Sequence, residues 1–158
     1  MLAAVLASCG RAKLERPAAT TPAVATAESL GRVVEVGSDP TTWLALEPLA
    51  GGVQIRLAGP ALTQLRAVNG AVVWVSGMQV GAELRVDAFE VRRIGDRDVD
   101  DGIVVASAHG VELRMRDGAT RPVPDATPEL RTIAGARVWI SRPVPGVTPS
   151  YGVIAPKP

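Results

Sequence analysis

The chain is predicted to be all-β: small β-barrel units in tandem, related by an internal duplication, each with one short helix. Three observations predict this. Thirteen prolines and 16 glycines punctuate short apolar runs, which suits many short strands better than long helices. From Leu30 onward the apolar residues recur with a period of two, the mark of half-buried strands. A twelve-residue segment in the middle of the chain also returns near its end.

The elements follow in order. A first strand is expected over about Arg32–Val36 and a second over Thr42–Leu46, where Leu44 and Leu46 share a face. The third, Val53–Leu57, alternates cleanly and is expected to turn Val53, Ile55 and Leu57 inward. Between Gly59 and Gly70 the spacing becomes helical, with Leu62, Leu65 and Val68 on one face. Pro60 suits the first helical position and Asn69-Gly70 a stop. A fourth strand is expected at Ala71–Ser76 and a fifth at Glu83–Arg92. In the fifth, Phe89 and Val91 fall out of phase with Leu84, Val86 and Ala88, which predicts a β-bulge near Ala88-Phe89.

The repeat aligns Leu65–Ser76 with Leu130–Ser141 at an offset of 65, with seven of twelve residues identical. Thr127-Pro128 supplies a helix cap and a first-turn proline. Gly102–Val105 echoes Gly31–Val34. Duplication is the economical reading of this pattern. The order of three strands, a short helix and two strands resembles the OB-fold, a five-stranded barrel. The resemblance covers residues 30–95 well and residues 102–158, a shorter and Pro-rich copy, less well.

Seventeen basic and 16 acidic residues leave a net charge of +1. The charges are interspersed, so no basic face for nucleic acid is expected. Beyond the N-terminus no apolar run approaches the ~18–20 residues of a membrane span. One cysteine excludes an intrachain disulfide.

That cysteine ends an apolar run closed by small residues, Met1 to Cys9, which reads as the end of a signal peptide over residues 1–8. Leu6-Ala7-Ser8-Cys9 resembles the bacterial lipobox. The resemblance implies cleavage between Ser8 and Cys9, a diacylglyceryl group on the Cys9 thiol and acylation of the new amine. Several chains anchor stably, since each buried CH₂ adds only ~0.8 kcal/mol and a single chain binds reversibly. The segment is short and lacks a basic region, which implies a start codon further upstream or a truncated chain. A chance cysteine in an apolar N-terminal strand is the bland alternative. The lipobox is favoured because Ala/Pro/Thr-rich residues follow it, and residues 9–29 read as a flexible tether. Gly10 stands where an inner-membrane retention Asp would, so the resemblance implies the outer membrane, facing the periplasm.

Among chemistry-bearing residues, His109 is the only histidine and reads as a solvated loop residue, with no Gly-x-Ser-x-Gly elbow to serve. Asp96, Asp98 and Asp100 have the alternate spacing of a calcium loop. Asp101 and Ser107 occupy the positions that need Gly and Glu, so a polar connector is favoured. Asp87, Glu90 and the 96–101 cluster are the only material for a carboxylate-using hydrolase. Trp43, Trp74 and Trp139 all fall on the strand face opposite the aliphatic one, and Tyr151 comes late in the second copy. They form either an exposed stacking surface or, as the favoured alternative, a buried contact between the copies. No catalytic residue, cofactor or metal is assigned. The expectation is a non-enzymatic, lipid-anchored envelope protein that binds an envelope protein or cell-wall component within the tether's reach. A calcium-stabilised structural domain is a further alternative.

Overall fold

The alternating segments pair into two consecutive five-stranded units. The structure, a computed structural model, describes residues 24–108 and 110–158. The signal segment, Ser8, Cys9, the tether as far as residue 23, and His109 lie outside the described residues.

Unit 1 comprises β1 (Val24–Ser38), β2 (Thr41–Pro48), β3 (Ile55–Ala58), helix α1 (Leu62–Arg66), β4 (Val72–Val80) and β5 (Glu83–Ile94). β1 pairs antiparallel with β2, and β2 with β3. β3 then pairs parallel with β5, β5 antiparallel with β4, and β4 antiparallel with β1. The five strands therefore close into a ring, which leaves none of them as a free edge. Its interior is filled by the inward set that the alternation marks, including Val33, Leu44, Leu46, Leu57, Val73, Val75, Leu84 and Val86, with Leu65 of α1 plugging one end. Burying each such side chain contributes about 1.5–3 kcal/mol.

Unit 2 repeats the order with β6 (Arg97–Ser107), β7 (Gly110–Met115), β8 (Thr120–Pro122), α2 (Pro128–Thr132), β9 (Arg137–Ser141) and β10 (Tyr151–Ala155). β6 pairs with β7 and β9, β7 with β8, and β9 with β10, all antiparallel. Among the described residues β8 and β10 do not pair, so this ring stays open. Val104, Val111, Leu113, Leu130, Val138 and Ile140 form its core. The units join through the β5–β6 hairpin, with Arg93 opposite Asp98 and Ile94 opposite Arg97. Val99 of β6 and Ile154 of β10 complete the core of unit 1.

The two units share backbone contacts at matching positions. Val33 N–H donates to Ala71 O, and Gly70 N–H to Val33 O. Val104 N–H donates to Ala136 O, and Gly135 N–H to Val104 O, in the same arrangement. A Cβ on Gly31 would stand 2.5 Å from Glu47 O, and one on Gly102 2.5 Å from Arg114 O.

Several expectations are corrected. β1 starts at Val24 rather than near Arg32, because the residues before Arg32 pair with β4, from Val24 opposite Val80 onward. Of the segment expected as a tether, residues 24–29 are strand. β3 starts at Ile55, and Val53 is 85% exposed instead of inward. Gly51 and Gly52, both at positive φ, lead the chain away from the barrel just before it. The helix expected between Gly59 and Gly70 is one short turn of residues, Leu62–Arg66, capped at Ala61. Thr127 caps α2 with Pro128 behind it, but its side chain makes no capping hydrogen bond. The bulge sits at Asp87, beside the expected position, where Ser76 and Gly77 pair with Ala88 and Val86. The 96–101 segment is not a connector: from Arg97 it belongs to β6. Among the described residues no helix is long and apolar enough to cross a membrane.

Candidate functional site: the cleft between the units

β6 enters unit 2 beside the bulged strand β5, and this brings Asp101 against unit 1. Its side chain is 2% exposed. A buried carboxylate is costly unless paired and hydrogen-bonded, and this one is fully engaged. Arg137 of β9 donates from Nε to Asp101 Oδ1 at 2.9 Å and from Nη2 to Oδ2 at 2.7 Å. The Val91 backbone N–H donates to Oδ2 at 2.8 Å. The same guanidinium donates to Phe89 O at 2.7 Å and to Gln64 Oε1 at 3.0 Å, and lies 4.1 Å over the Phe89 ring. One arginine thus ties β9 and β6 of unit 2 to β5 and α1 of unit 1.

Above this clamp the units part into an open cleft of about 390 Å³. Pro60, Ala61 and Phe89 line it from unit 1, and Ile103 and Met115 from unit 2. Arg114 and Arg116 line it from β7 and the turn after it, and Asp87 and Glu90 from β5. A second, more polar groove of about 490 Å³ shares Glu90, Met115 and Arg116 with the cleft. Most charges here are already satisfied. Glu90 pairs with Arg92 at 3.0 Å, and Asp100 with Arg121 at 2.8 Å and Arg142 at 3.2 Å. Arg114 has no ion pair among the described residues, and Arg116 is occupied only by the Trp74 ring, 4.5 Å away. Two exposed guanidiniums beside an apolar wall suit a ligand that carries both an anionic and an apolar group.

The aromatic residues are not gathered into one surface. Trp139 packs against the core of unit 1 and over the backbone of Gly152. Trp74 lies half-buried under Arg116, a contact between units. Trp43 stands away from both, half-buried, with Arg56 5.8 Å from its ring. Tyr151 packs partly against the core of unit 2. The calcium candidates are likewise divided. Asp96 is in the hairpin turn, while Asp98 faces Arg93 and Arg142, and Asp100 faces Arg121 and Arg142. Among the described residues no group of three or more His, Cys, Asp or Glu is placed to hold a metal ion.

The clamp itself escaped the reading of the residues. One signal could have found it. Between the copies, Leu30 is replaced by Asp101 and Val72 by Arg137, opposite charges arriving together on paired strands. No family model matches the chain, and no curated protein or solved structure matches it.

Proposed function

We propose that this chain is a lipid-anchored envelope protein that binds a partner, without catalysing a reaction, in the cleft between its two β units. The observation that carries the reading is the pairing pattern of the cleft. Glu90, Asp101 and Arg137 are held by neighbours, whereas exposed Arg114, Arg116 (stacked on Trp74) and one carboxylate, Asp87, face the cleft beside Phe89, Pro60 and Met115, an excess of positive charge. The partner this favours is an extended peptide segment of an envelope protein, with an acidic side chain for the guanidiniums and an apolar one for the wall. The Leu6-Ala7-Ser8-Cys9 motif supports the anchor on Cys9. Gly10 supports an outer-membrane, periplasm-facing address. The strand pairing of unit 1 supports OB-like descent for both copies.

Two measurements test this reading. Intact mass of the protein from the membrane fraction should show a diacylglyceryl-modified N-terminal Cys9, and Cys9→Ala should release the protein from membranes. A photo-crosslinking residue in place of Ala61 should capture a partner in the native envelope. Arg114→Glu with Arg116→Glu should abolish that capture, while Arg97→Glu, exposed at the β5–β6 hairpin and outside the cleft lining, should not. Undiminished capture by the double variant would count against the cleft.

A further inference from the structure

Each copy has one face that meets its neighbour along the chain, and the duplication shows where the unused equivalents lie. In unit 2 the seated face includes Asp101, Arg137 and Trp139. The strand registers give their counterparts in unit 1. Gly31 opposite Pro48 matches Gly102 opposite Met115, so Leu30 corresponds to Asp101 and Leu49 to Arg116. Val72 corresponds to Arg137 and Trp74 to Trp139. In unit 1 these residues meet no preceding unit among the described residues. Leu30 is 44% exposed and Leu49 52% exposed, and they share with Val72 and Trp74, whose ring Arg116 of unit 2 overlies, an apolar hollow of about 360 Å³ rimmed by Arg92 and the Arg93–Asp98 ion pair.

The opposite face shows the same asymmetry. Unit 1 receives unit 2 on Phe89, Val91 and Gln64. Val75 opposite Phe89 and Val73 opposite Val91 match Ile140 opposite Tyr151 and Val138 opposite Val153, and both strands slip register directly afterwards. The counterparts in unit 2 are therefore Tyr151, Val153 and Glu129. Val91 is fully buried in the core of unit 1 and its backbone N–H receives Asp101 of unit 2, whereas Val153 is 44% exposed.

We propose that the Leu30–Leu49 face of unit 1 docks on the Tyr151–Val153 face of unit 2 in a second copy of this chain, extending the arrangement of units head to tail. The occupant is argued from the contact within the chain: repeating the step from unit 1 to unit 2 brings the first unit of another copy onto the second unit of this one. The surfaces complement each other. Leu30 replaces the charged Asp101, and the repeated step brings it to the exposed apolar Val153, the counterpart of the Val91 that Asp101 meets within the chain. A contact of this kind is heterologous, using different patches on the two partners, and does not close at two copies unless the rotation permits. It is independent of the lipid on Cys9.

The test uses the 158-residue chain with Cys9→Ser, by sedimentation velocity across a concentration series. The unaltered faces should give concentration-dependent species of dimer size and larger. Leu30→Glu and Val153→Glu, both at exposed positions, should each give monomers. Mixed in equal amounts they should form a one-to-one dimer that grows no further, because each supplies the face that the other lacks. Leu49→Glu should reproduce Leu30→Glu if that variant is unfolded by circular dichroism. A monomer at every concentration overturns the proposal. So does a Val153→Glu variant that still dimerises, which would indicate a symmetric contact through Leu30. A monomeric chain that co-sediments with anionic phospholipid vesicles through Leu30 and Leu49 overturns it in favour of a membrane-facing patch.

Discussion

Arg137 and Asp101 form a two-pronged ion pair across β9 and β6, at 2.9 and 2.7 Å, with the carboxylate buried against the neighbouring unit. The same positions in unit 1 hold Val72 and Leu30. One fold thus accommodates both a charged and an apolar version of one contact, and nature's apolar version supplies the control for the charged one.

Arg137→Val should destabilise the chain by about 3–5 kcal/mol, because it leaves the Asp101 carboxylate buried without a counter-charge. Adding Asp101→Leu should recover part of that loss, since two apolar groups of similar shape replace two charges. Recovery should be incomplete: the Val91 N–H and Phe89 O lose their partners, at about 1–3 kcal/mol for each group left buried. Urea unfolding of the two single variants and the double variant checks this. A double variant no more stable than Arg137→Val would show that the pair acts through something other than charge compensation.

The two close-approach glycines should behave alike. Gly31 lets β1 pass Glu47 O, and Gly102 lets β6 pass Arg114 O; a Cβ added at either would lie only 2.5 Å from that oxygen. Since both obstacles are backbone, neither can yield by a rotamer change, and overpacking of this kind costs about 1–3 kcal/mol. Gly31→Ala and Gly102→Ala should therefore lower the thermal midpoint by similar amounts. A large effect at one and none at the other would mean that the copies do not share this strand crossing.

How far the residues announce the fold depends on how local each constraint is. β2, β4 and β5 were legible because Leu44/Leu46, Val73/Val75 and Leu84/Val86 alternate on a face that is buried throughout. The start of β1 was not, since Ala25, Ala27 and Ser29 offer little apolar contrast to Thr26 and Glu28. That stretch is held by backbone pairing to Met78, Gln79 and Val80, about fifty residues away in sequence. Val53 misled because its phase fits β3, yet pairing in β3 begins only at Ile55. Asp101 misled most. Four aspartates within Asp96–Asp101 read as solvated, and the residue that makes burial of the last one tolerable lies 36 positions further on. The cleft was invisible for the same reason: Arg114 and Arg116 are ordinary strand-end arginines until β6 swings β7 toward Phe89.

Calcium should leave the stability unchanged. Asp98 and Asp100 already face guanidiniums of Arg93, Arg121 and Arg142, and a divalent cation would have to displace them. Differential scanning fluorimetry with millimolar calcium and with EDTA should give the same midpoint. Because these arginines are half-exposed, Arg121→Ala should cost no more than about 1 kcal/mol. A midpoint that rises with calcium would reinstate the aspartates as ligands.

The three tryptophans should report three different environments by fluorescence. Trp139 packs on the core of unit 1, Trp74 lies beneath Arg116 of the other unit, and Trp43 lies half-buried beside the Gly37 backbone, with Arg56 5.8 Å from its ring. In a Trp43→Phe, Trp139→Phe background the emission is that of Trp74 alone. Removing its cover with Arg116→Ala should shift that emission to the red and raise its quenching by acrylamide, because a guanidinium over an indole face shields it from water as well as attracting it. Arg114→Ala, which alters the cleft but not the stacked cation, should leave the spectrum unchanged. An Arg116→Ala spectrum identical to its parent would place the guanidinium elsewhere in solution, free for the anionic group of a ligand rather than shared with Trp74.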